Sequence, residues 1–197
     1  MKFILASSSP RRKQLLSQFD LDLIIKSHAF DETSISRSVS PKEYCKLISI
    51  GKAESLSENH IDSPILSADT IVTIDDLILE KPSNRDEAVT MLNLLSGRKH
   101  KVITGVSLIY SNKDIRFSFT EETLVAFNLL TEEEIFYYID KYSPYDKSGA
   151  YGIQDFSSIF VKSIEGCFFN VMGLPLSTLF QYLKKFDLVR FPLSTSD

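Results

Sequence analysis

Short continuous apolar runs alternate along the chain with apolar residues spaced by three and four positions. The runs predict buried strands over residues 3–5, 21–26, 64–74, 77–79, 101–110, 115–129 and 159–164. The helical spacings predict helices that start near residues 10, 41, 84, 132 and 176. Because hairpin-like turns and crossover connections are mixed, we expect an α/β fold with one mixed, twisted sheet and helices on both faces. We expect a single domain over residues 1–197, with the tail FPLSTSD (from about residue 190) frayed.

Capping residues mark where the helices begin. Ser9 is a favourable N-cap, and Pro10 suits the first helical position because its φ is already near the helical value. At three later starts a hydroxyl residue is followed three positions on by an acidic residue: Ser40 and Glu43, Ser83 and Asp86, Thr131 and Glu134. These pairs predict side-chain caps on the helices that follow them.

The first helix start, in the segment SSSPRR, contains an electrostatic mismatch. Arg11, Arg12 and Lys13 fall in the first turn, where the positive end of the helix dipole disfavours cations. A helix N-terminus is also a good site for an anion, and a bound anion would remove the mismatch. Water and salt could equally screen these charges. This stretch alone therefore leaves open an anion site and a solvated basic turn.

Composition argues against two classes of protein. With 24% charged residues and a formal net charge of −4, the chain lacks the basic excess of a nucleic-acid binder. No apolar run approaches the roughly 20 residues needed to span a bilayer, and the first strand is too short for a signal-peptide core. We therefore expect no nucleic-acid partner and no membrane partner.

Cysteine and histidine usage adds no sign of a metal site. Cys45 and Cys167 lie far apart without a C-x-x-C motif, so neither a zinc site nor a disulfide framework is predicted. A reducing cytoplasm is the expected compartment. The histidines His28, His60 and His100 show no H-x-x-x-H spacing, and we expect them at the surface rather than as ligands.

Familiar nucleotide and hydrolase motifs are absent from the sequence. It contains no G-x-x-x-x-G-K-[ST], no G-x-G-x-x-G and no G-x-S-x-G segment. The serines at positions 7–9 have no plausible partner histidine, which argues against a Ser-His-Asp hydrolase.

What remains is a set of charged and polar residues near the ends of apolar runs. Asp69 interrupts the run ILSADTIV, where an ionised carboxylate is costly unless it is paired, binds a metal or caps a turn. Glu32 follows a strand, and Lys52 lies late in a helix, where the dipole already favours a cation. The other members are Lys81 before Pro82, and Lys147 and Gln154 around the loop GAYG. Two carboxylates with several cations suit a Mg²⁺-bound polyphosphate, although spacing alone does not show that they meet.

Six blocks in a fixed order extend over nearly the whole chain: LASSSPRRKQLL, SADTIV, LEKP, LLSGRKHKVITGV, DKSGAYGIQ and VMGLPL. In this order and at about this spacing they resemble the Maf family of nucleoside triphosphate pyrophosphatases. The resemblance implies hydrolysis of a nucleotide's α–β anhydride to the monophosphate and pyrophosphate. It also implies a two-lobed Maf/ITPase-like fold around a cleft, and often a homodimer.

The resemblance also implies roles for individual residues. The family's phosphate-binding loop matches Ser7, Ser9, Arg11 and Arg12, which would make a triphosphate the anion at SSSPRR. Its acidic positions match Glu32 and Asp69, the expected ligands of Mg²⁺, with Mn²⁺ or Co²⁺ as alternatives. Asp69 is also the expected proton acceptor for the water that attacks the α-phosphorus. The family's cationic positions match Lys52, Lys81 and Lys147. Of these, Lys52 is expected to be a catalytic residue together with Asp69.

Three positions indicate the pyrimidine branch of the family. That branch, which acts on dTTP and UTP, has the residues found here at Arg11, Thr70 and Gln154. The branch acting on 7-methyl-GTP has a bulky aromatic, a glutamine and an acidic residue instead. Gln154 can both donate to and accept from a uracil or thymine edge, whereas a carboxylate would suit a cationic purine. The alternatives are a nucleotide-binding regulator linked to septum formation and a pyrophosphatase for modified purine nucleotides.

The chain departs from the family pattern at two places. Ser67 stands where the family usually has the glycine of GADT, and Asp155, Phe156 and Ser157 replace a glycine-containing segment after GIQ. An extra carboxylate at Asp155 would oppose a triphosphate unless it points away from the cleft.

Overall fold

Strands and helices alternate along the chain in the computed structural model, which describes residues 1–19 and 21–189. The strands are β1 (Lys2–Ala6), β2 (Asp22–Lys26), β3 (Ile65–Ile74), β4 (Leu77–Leu79), β5 (Lys99–Tyr110), β6 (Ile115–Phe127) and β7 (Val161–Glu165). The helices are α1 (Pro10–Leu16), α2 (Pro41–Ser57), α3 (Arg85–Leu95), α4 (Glu132–Tyr142), α5 (Phe168–Val171) and α6 (Leu176–Lys185). The α/β class is therefore confirmed. The predicted fraying of the tail lies outside the described residues.

The seven strands form one mixed sheet. Its order is β2-β1-β3-β5-β6-β7, with β4 also paired to β3. β1 runs parallel to β2 and β3, and the remaining pairings are antiparallel. This confirms the mixed sheet that the alternation of hairpin and crossover connections predicts.

Alternation along β3 separates the apolar cores. Ala68 belongs to a core with residues of α1 and α6, and Val72 belongs to a second core with residues of α3 and α4. Because both positions are even-numbered, the two cores lie on the same face of the sheet, with Thr70 between them. The odd-numbered Ile71 packs with Ile48 of α2 on the opposite face. Helices therefore cover both faces of the sheet. The two cores on either side of Thr70 correspond to the two lobes that the resemblance implies.

One edge of β3 contains a gap in the strand pairing. β1 pairs with β3 only at Ile65 and Leu66, whereas β4 pairs with it from Val72 to Ile74. β5 occupies the other edge of β3, so β1 and β4 share this edge and leave the segment 67–71 unpaired on it. The gap begins where β1 ends and the SSSPRR turn follows. Carboxyl ends of strands at such a discontinuity are common ligand sites in α/β sheets.

Several predicted boundaries are wrong by one or two residues, among them the start of β5, at Lys99 rather than residue 101, and the end of β6, at Phe127 rather than residue 129. α3 begins at Arg85 because Asn84, not Ser83, accepts a hydrogen bond from the amide of Glu87 at 2.9 Å. The segment Phe156–Phe160 forms a 3₁₀ turn, so β7 begins at Val161 rather than at residue 159. α5 was not predicted, since four residues are too few to show helical periodicity.

The predicted caps have mixed outcomes. Thr131 and Glu134 form the complete capping box. Ser40 accepts from the amide of Glu43 at 3.2 Å, but the Glu43 carboxylate lies near Lys46 instead of completing a box. Ser9 occupies the N-cap position of α1 without a side-chain cap hydrogen bond.

His100 corrects the expectation that all three histidines lie at the surface. It is 1% exposed, its Nε2 lies 2.8 Å from the Tyr151 hydroxyl, and its ring packs edge-on against Phe127. Burial lowers the pKa of His100 to about 4. It is therefore a neutral core residue near pH 7.

Within residues 1–19 and 21–189, no helix combines the length and apolar character needed to cross a membrane.

Candidate active site

A cavity of about 240 Å³ opens at the gap in the β3 edge. Its walls come from the turn after β1, from β3, from the loop before the 3₁₀ turn at 156–160, and from the segment after α5. Every site residue predicted from the sequence lines it: Ser7, Ser9, Arg11, Arg12, Glu32, Lys52, Asp69, Thr70, Lys81, Lys147 and Gln154. The fold thus brings together residues that sequence spacing alone could not place.

Lys52 joins the two predicted carboxylates. Its Nζ lies 2.7 Å from Oδ1 of Asp69 and 3.1 Å from Oε1 of Glu32. The side chains of Lys52 and Asp69 are only 7% and 14% exposed, whereas that of Glu32 is 45% exposed. The ion pair offsets the cost of an ionised carboxylate inside β3. Lys52 therefore does more than complement the dipole of α2.

Close packing of α2 sets the position of Lys52. A Cβ added to Gly105 of β5 would lie 2.4 Å from the carbonyl oxygen of Cys45, so the helix backbone rests directly on the strand. On the other side of α2, a Cβ on Gly51 would lie 2.4 Å from the ring of Phe30. That ring packs against the residue preceding Lys52, and Phe30 lies two residues before Glu32 in the chain.

The departure at Ser67 adds a further contact between β3 and α2. The buried hydroxyl of Ser67 donates to the carbonyl oxygen of Ser49, whose own hydroxyl lies 2.8 Å from that of Ser107. Ser49 lies one turn before Lys52, and Ser67 lies two residues before Asp69. The serine that replaces the family's glycine therefore adds a hydrogen bond between β3 and α2, the two elements that carry Asp69 and Lys52.

Arg12 places a positive charge at the cavity, and its hydrogen-bond acceptors are neutral groups. Its guanidinium donates to Gly173 O at 2.9 Å, to Ser7 Oγ at 3.2 Å and to Thr70 Oγ1 at 2.9 Å. All three acceptors are neutral. Burial lowers the pKa of Arg12, and the charge of Asp69 opposes that shift. Among the described residues no carboxylate lies within 4.0 Å of the guanidinium, so its charge is available to an anion.

Asp146 is a cavity residue that sequence reasoning missed. Its carboxylate lies 2.9 Å from Arg11 Nη1 and 2.7 Å from Lys147 Nζ. Partial burial opposes ionisation of Asp146, but the hydrogen bonds from Lys147 and Arg11 outweigh it and lower its pKa. The Asp146 carboxylate therefore offsets part of the positive charge in the first turn of α1. The available signal was its place beside Lys147 in the block DKSGAYGIQ.

Asp155 is held by hydrogen bonds within its own loop and by α4. Its carboxylate accepts from the Tyr138 hydroxyl at 3.2 Å and from the amide of Ser157 at 3.0 Å, which caps the 3₁₀ turn. Lys147 Nζ is 3.8 Å away, farther than its contact with Asp146. Asp155 does not line the cavity. The extra carboxylate is thus used in packing the loop rather than directed at the site.

The comparisons with known proteins agree with this site. The pattern of the family described as "Maf-like protein" matches residues 2–186. The chain belongs to the Maf family. A dTTP/UTP pyrophosphatase of Bacillus cereus is 46% identical, covering 95% of this chain and 96% of that protein. One of Bacillus mycoides is 47% identical, covering 94% and 96% respectively.

Likeness among solved structures is weaker. A HAM1 protein from Coxiella burnetii has a TM-score of 0.49 and 15% sequence identity, covering 94% of this chain and 99% of that chain. Membership of the Maf family rests on the sequence comparisons, and it confirms the resemblance found in the six blocks.

The remaining matched positions of this Maf protein are accessible. Lys81 and Gln154 are exposed at the cavity, and among the described residues Lys81 has no carboxylate within 4.0 Å. His28, expected at the surface without a role, also lines the cavity, with its Nε2 3.8 Å from Glu32 Oε1. Burial and the charge of Lys52 lower the pKa of His28.

The donor set of this Maf protein fits a metal ion only in part. The described residues contain no group of three His, Cys, Asp or Glu side chains that could hold one alone. Lys52 contacts one oxygen of Asp69 and one of Glu32, which leaves the second oxygen of each carboxylate outside these pairs. Mg²⁺ commonly takes one or two protein carboxylates and completes its shell with phosphate oxygens and water. The site therefore fits an ion that binds together with a polyphosphate.

Proposed function

We propose that this Maf protein is a nucleoside triphosphate pyrophosphatase that hydrolyses dTTP and UTP to the monophosphate and pyrophosphate. The observation that carries the proposal is the distribution of charge in the cavity. Lys52 joins Asp69 and Glu32, while Arg12 faces the same space with no carboxylate within 4.0 Å of its guanidinium among residues 1–19 and 21–189. The relatives at 46% and 47% identity, both named dTTP/UTP pyrophosphatase, support it.

The cations bind the triphosphate and stabilise the leaving group. Arg12 and Lys81 are the cavity cations without a carboxylate partner among the described residues, and both would contact phosphate oxygens. Lys52, which lines the same cavity beside Asp69, is the third cation that would stabilise the leaving pyrophosphate. Positioned cations of this kind account for most of the protein's contribution to phosphoryl transfer.

Asp69 is the proposed general base. A water molecule attacks the α-phosphorus, the bond from that phosphorus to the bridging oxygen breaks, and pyrophosphate leaves with the bond electrons. The water proton passes to the Asp69 carboxylate, whose Oδ2 lies outside the ion pair with Lys52. General-base catalysis contributes about 10²- to 10⁴-fold to a rate.

Glu32 and Asp69 are the proposed ligands of a divalent ion, Mg²⁺ in the first instance, with Mn²⁺ or Co²⁺ as alternatives. When bound, such an ion neutralises phosphate charge and polarises the phosphoryl oxygens. Lys52 holds both carboxylates on one side of the cavity, at 2.7 and 3.1 Å from its Nζ. The pair is thereby kept ready to bind the ion with the substrate.

The base-recognition residues are Arg11, Thr70 and Gln154, which line the cavity together. Gln154 is exposed there and offers both a donor and an acceptor to a pyrimidine edge.

We also infer a cytoplasmic location, supported by the unpaired Cys45 and Cys167, and a homodimer, supported by the family resemblance.

The test is pyrophosphate release from a panel of dTTP, UTP, CTP, dGTP and 7-methyl-GTP with Mg²⁺. Fast release from dTTP and UTP supports both the reaction and the base preference. Preference for the methylated purine would retain the chemistry and reject the assignment of Arg11, Thr70 and Gln154. Tight binding without turnover of any member would instead indicate a nucleotide-binding regulator. Omitting Mg²⁺, or replacing it with Mn²⁺ or Co²⁺, tests the metal requirement.

A further inference from the structure

A fully buried threonine interrupts the apolar face of β5 below the cavity. Thr104 is 0% exposed, and its same-face neighbours Val102 and Val106 belong to the two cores. In the sheet register Thr104 lies directly opposite Thr70. A valine of the same shape would suit this apolar position better, so the hydroxyl group calls for an explanation.

The hydroxyl of Thr104 completes a chain of hydrogen bonds that leads into the cavity. Arg12 Nη2 donates to Thr70 Oγ1 at 2.9 Å, and Thr70 Oγ1 lies 2.9 Å from Thr104 Oγ1. Thr104 Oγ1 in turn lies 3.3 Å from the carbonyl oxygen of Asn170. Thr104 does not line the cavity, so it can act on a ligand only through Thr70.

Counting protons shows two arrangements of this chain. If Thr104 donates to Asn170 O, then Thr70 must donate to Thr104, and Thr70 faces the cavity as an acceptor only. If Thr104 donates to Thr70, the Thr70 proton is free for Gly173 O, 3.4 Å away, or for a ligand. The first arrangement gives the Thr70 proton the 2.9 Å contact with Thr104 instead of the 3.4 Å contact with Gly173 O, so Thr104 favours Thr70 as an acceptor towards the cavity.

We propose that Thr104 is a positioning residue for nucleotide recognition, acting through Thr70. The proposal rests on the proposed function, since it assumes that the cavity receives a pyrimidine nucleotide. The N3 atom of uracil or thymine donates a hydrogen bond, whereas N3 of cytosine accepts one, so a Thr70 hydroxyl held as an acceptor favours uracil and thymine. Without the Thr104 hydroxyl, the Thr70 hydroxyl can rotate and donate to cytosine as well, which lowers the discrimination.

Loss of the Thr104 hydroxyl leaves little structural damage behind. Asn170 O still accepts from the amide of Gly173 at 2.9 Å, so the carbonyl keeps a partner in Thr104→Val. The substitution also preserves the shape of the buried side chain. The effect on recognition can therefore be measured in a folded protein.

The experiment measures kcat and KM for dTTP and CTP in Thr104→Val, Thr104→Ser, Thr70→Val and the double variant Thr70→Val/Thr104→Val. Thr104→Val is expected to lower the ratio of kcat/KM for dTTP over CTP by about three- to tenfold, the equivalent of one neutral hydrogen bond. Thr104→Ser should restore the wild-type ratio. The double variant should match Thr70→Val, because Thr104 acts through Thr70.

Thr73→Val provides the matched control, since Thr73 is buried in the same strand as Thr70 but on the opposite face, outside the cavity. An unchanged ratio in Thr104→Val, equal losses in Thr104→Ser and Thr104→Val, or additive losses in the double variant would each overturn the proposal.

Failure of the proposed function gives a different result. If the wild type releases no pyrophosphate but binds dTTP, the ratio of Kd values for CTP and dTTP, measured with EDTA present, tests Thr104 in the same variants. The same three- to tenfold loss would support the inference while the hydrolase assignment fails. A wild-type protein that neither binds nor hydrolyses pyrimidine triphosphates would overturn both.

Discussion

The ammonium of Lys52 lies 2.7 Å from Oδ1 of Asp69, with both side chains largely buried beside the cavity. The contact joins the middle of α2 to the unpaired edge of β3. Its partner Glu32 comes from a third segment, the loop after β2, at 3.1 Å from the same nitrogen. The proposed catalytic role of Asp69 and Lys52 thus requires that α2 keep its position against the sheet. Substitutions can test both the chemistry of Asp69 and the packing of α2.

Replacement of Asp69 by asparagine tests the chemistry. Asn retains the shape of the side chain and an oxygen that can accept from Lys52, but it cannot take a proton from water. We expect Asp69→Asn to reduce kcat for dTTP by at least roughly a hundredfold. The melting temperature should fall by a few degrees without loss of the fold, because Lys52 loses one charged partner and keeps Glu32 at 3.1 Å. Steady-state pyrophosphate release and thermal unfolding provide the two measurements.

Asp76→Asn is the control for this substitution. Asp76 is exposed in the turn between β3 and β4, outside the cavity, and its positive φ of 63° suits asparagine. It should leave kcat within about twofold, as surface changes generally do. Near-normal turnover in Asp69→Asn would remove Asp69 from the role of base.

Gly105, which packs against α2, and Gly51, which lies within α2, predict different effects on stability. In Gly105→Ala the new Cβ meets the backbone of Cys45, which cannot move alone, so we expect a loss of roughly 2–3 kcal/mol in the free energy of unfolding. In Gly51→Ala the Cβ meets the ring of Phe30, a side chain that can rotate away. The better helix propensity of alanine, about 1 kcal/mol, then offsets the displacement.

The activity of Gly51→Ala should nevertheless fall. Moving Phe30 shifts the loop that carries Glu32, and small displacements in an active site are costly to rate, so we expect at least roughly a tenfold loss in kcat/KM. Urea unfolding and dTTP turnover of both variants provide the comparison. Equal stability losses in the two variants would show that Phe30 is as rigid as the backbone at Cys45.

The parts of the fold that sequence predicts well are those fixed by local chemistry. The turn at Asp75 and Asp76 joins β3 to β4 as predicted, with φ values of 49° and 63° that aspartate tolerates. The Thr131–Glu134 capping box forms because both partners lie within one helical turn. Neither feature needs information from distant parts of the chain.

Features that depend on distant contacts could not be predicted in the same way. The ion pair between Arg11 and Asp146 joins residues 135 positions apart, and no local pattern specifies it. The α3 cap was misplaced by one residue because Ser83 and Asn84 are both good capping residues. The burial of His100 escapes prediction because the predicted strand begins at residue 101, whereas the observed β5 begins at Lys99 and places His100 on the same face as Val102.

Asp155 gives a prediction about the departure from the family pattern. Because Asp155 does not line the cavity, Asp155→Asn should leave KM for dTTP within about twofold. Asp155→Ala should lower the free energy of unfolding by about 1–2 kcal/mol, because the Tyr138 hydroxyl and the amide of Ser157 lose their acceptor. A severalfold lower KM in Asp155→Asn would show instead that this charge opposes the triphosphate.

Stability should fall in mild acid because of His100. Burial lowers the pKa of His100 to about 4 in the folded protein, whereas an unfolded histidine has a pKa of about 6.5. Between these values the unfolded chain binds the extra proton, so the free energy of unfolding decreases as pH falls, by up to about 1.4 kcal/mol per pH unit. The contribution is fully present above the unfolded pKa and is lost as pH falls towards about 4.

His100→Gln isolates this contribution from that of other titrating groups. Glutamine can still hydrogen-bond to the Tyr151 hydroxyl, but it does not titrate. Urea unfolding of both proteins at several pH values between 4.5 and 7.5 should show a shallower acid-side decline in the variant. Because the lowered pKa of His28 favours the same decline, only the difference between the two curves reports on His100. Parallel curves would mean that His100 is protonated in the folded protein as readily as in the unfolded chain, and that the buried contact with Tyr151 opens to solvent.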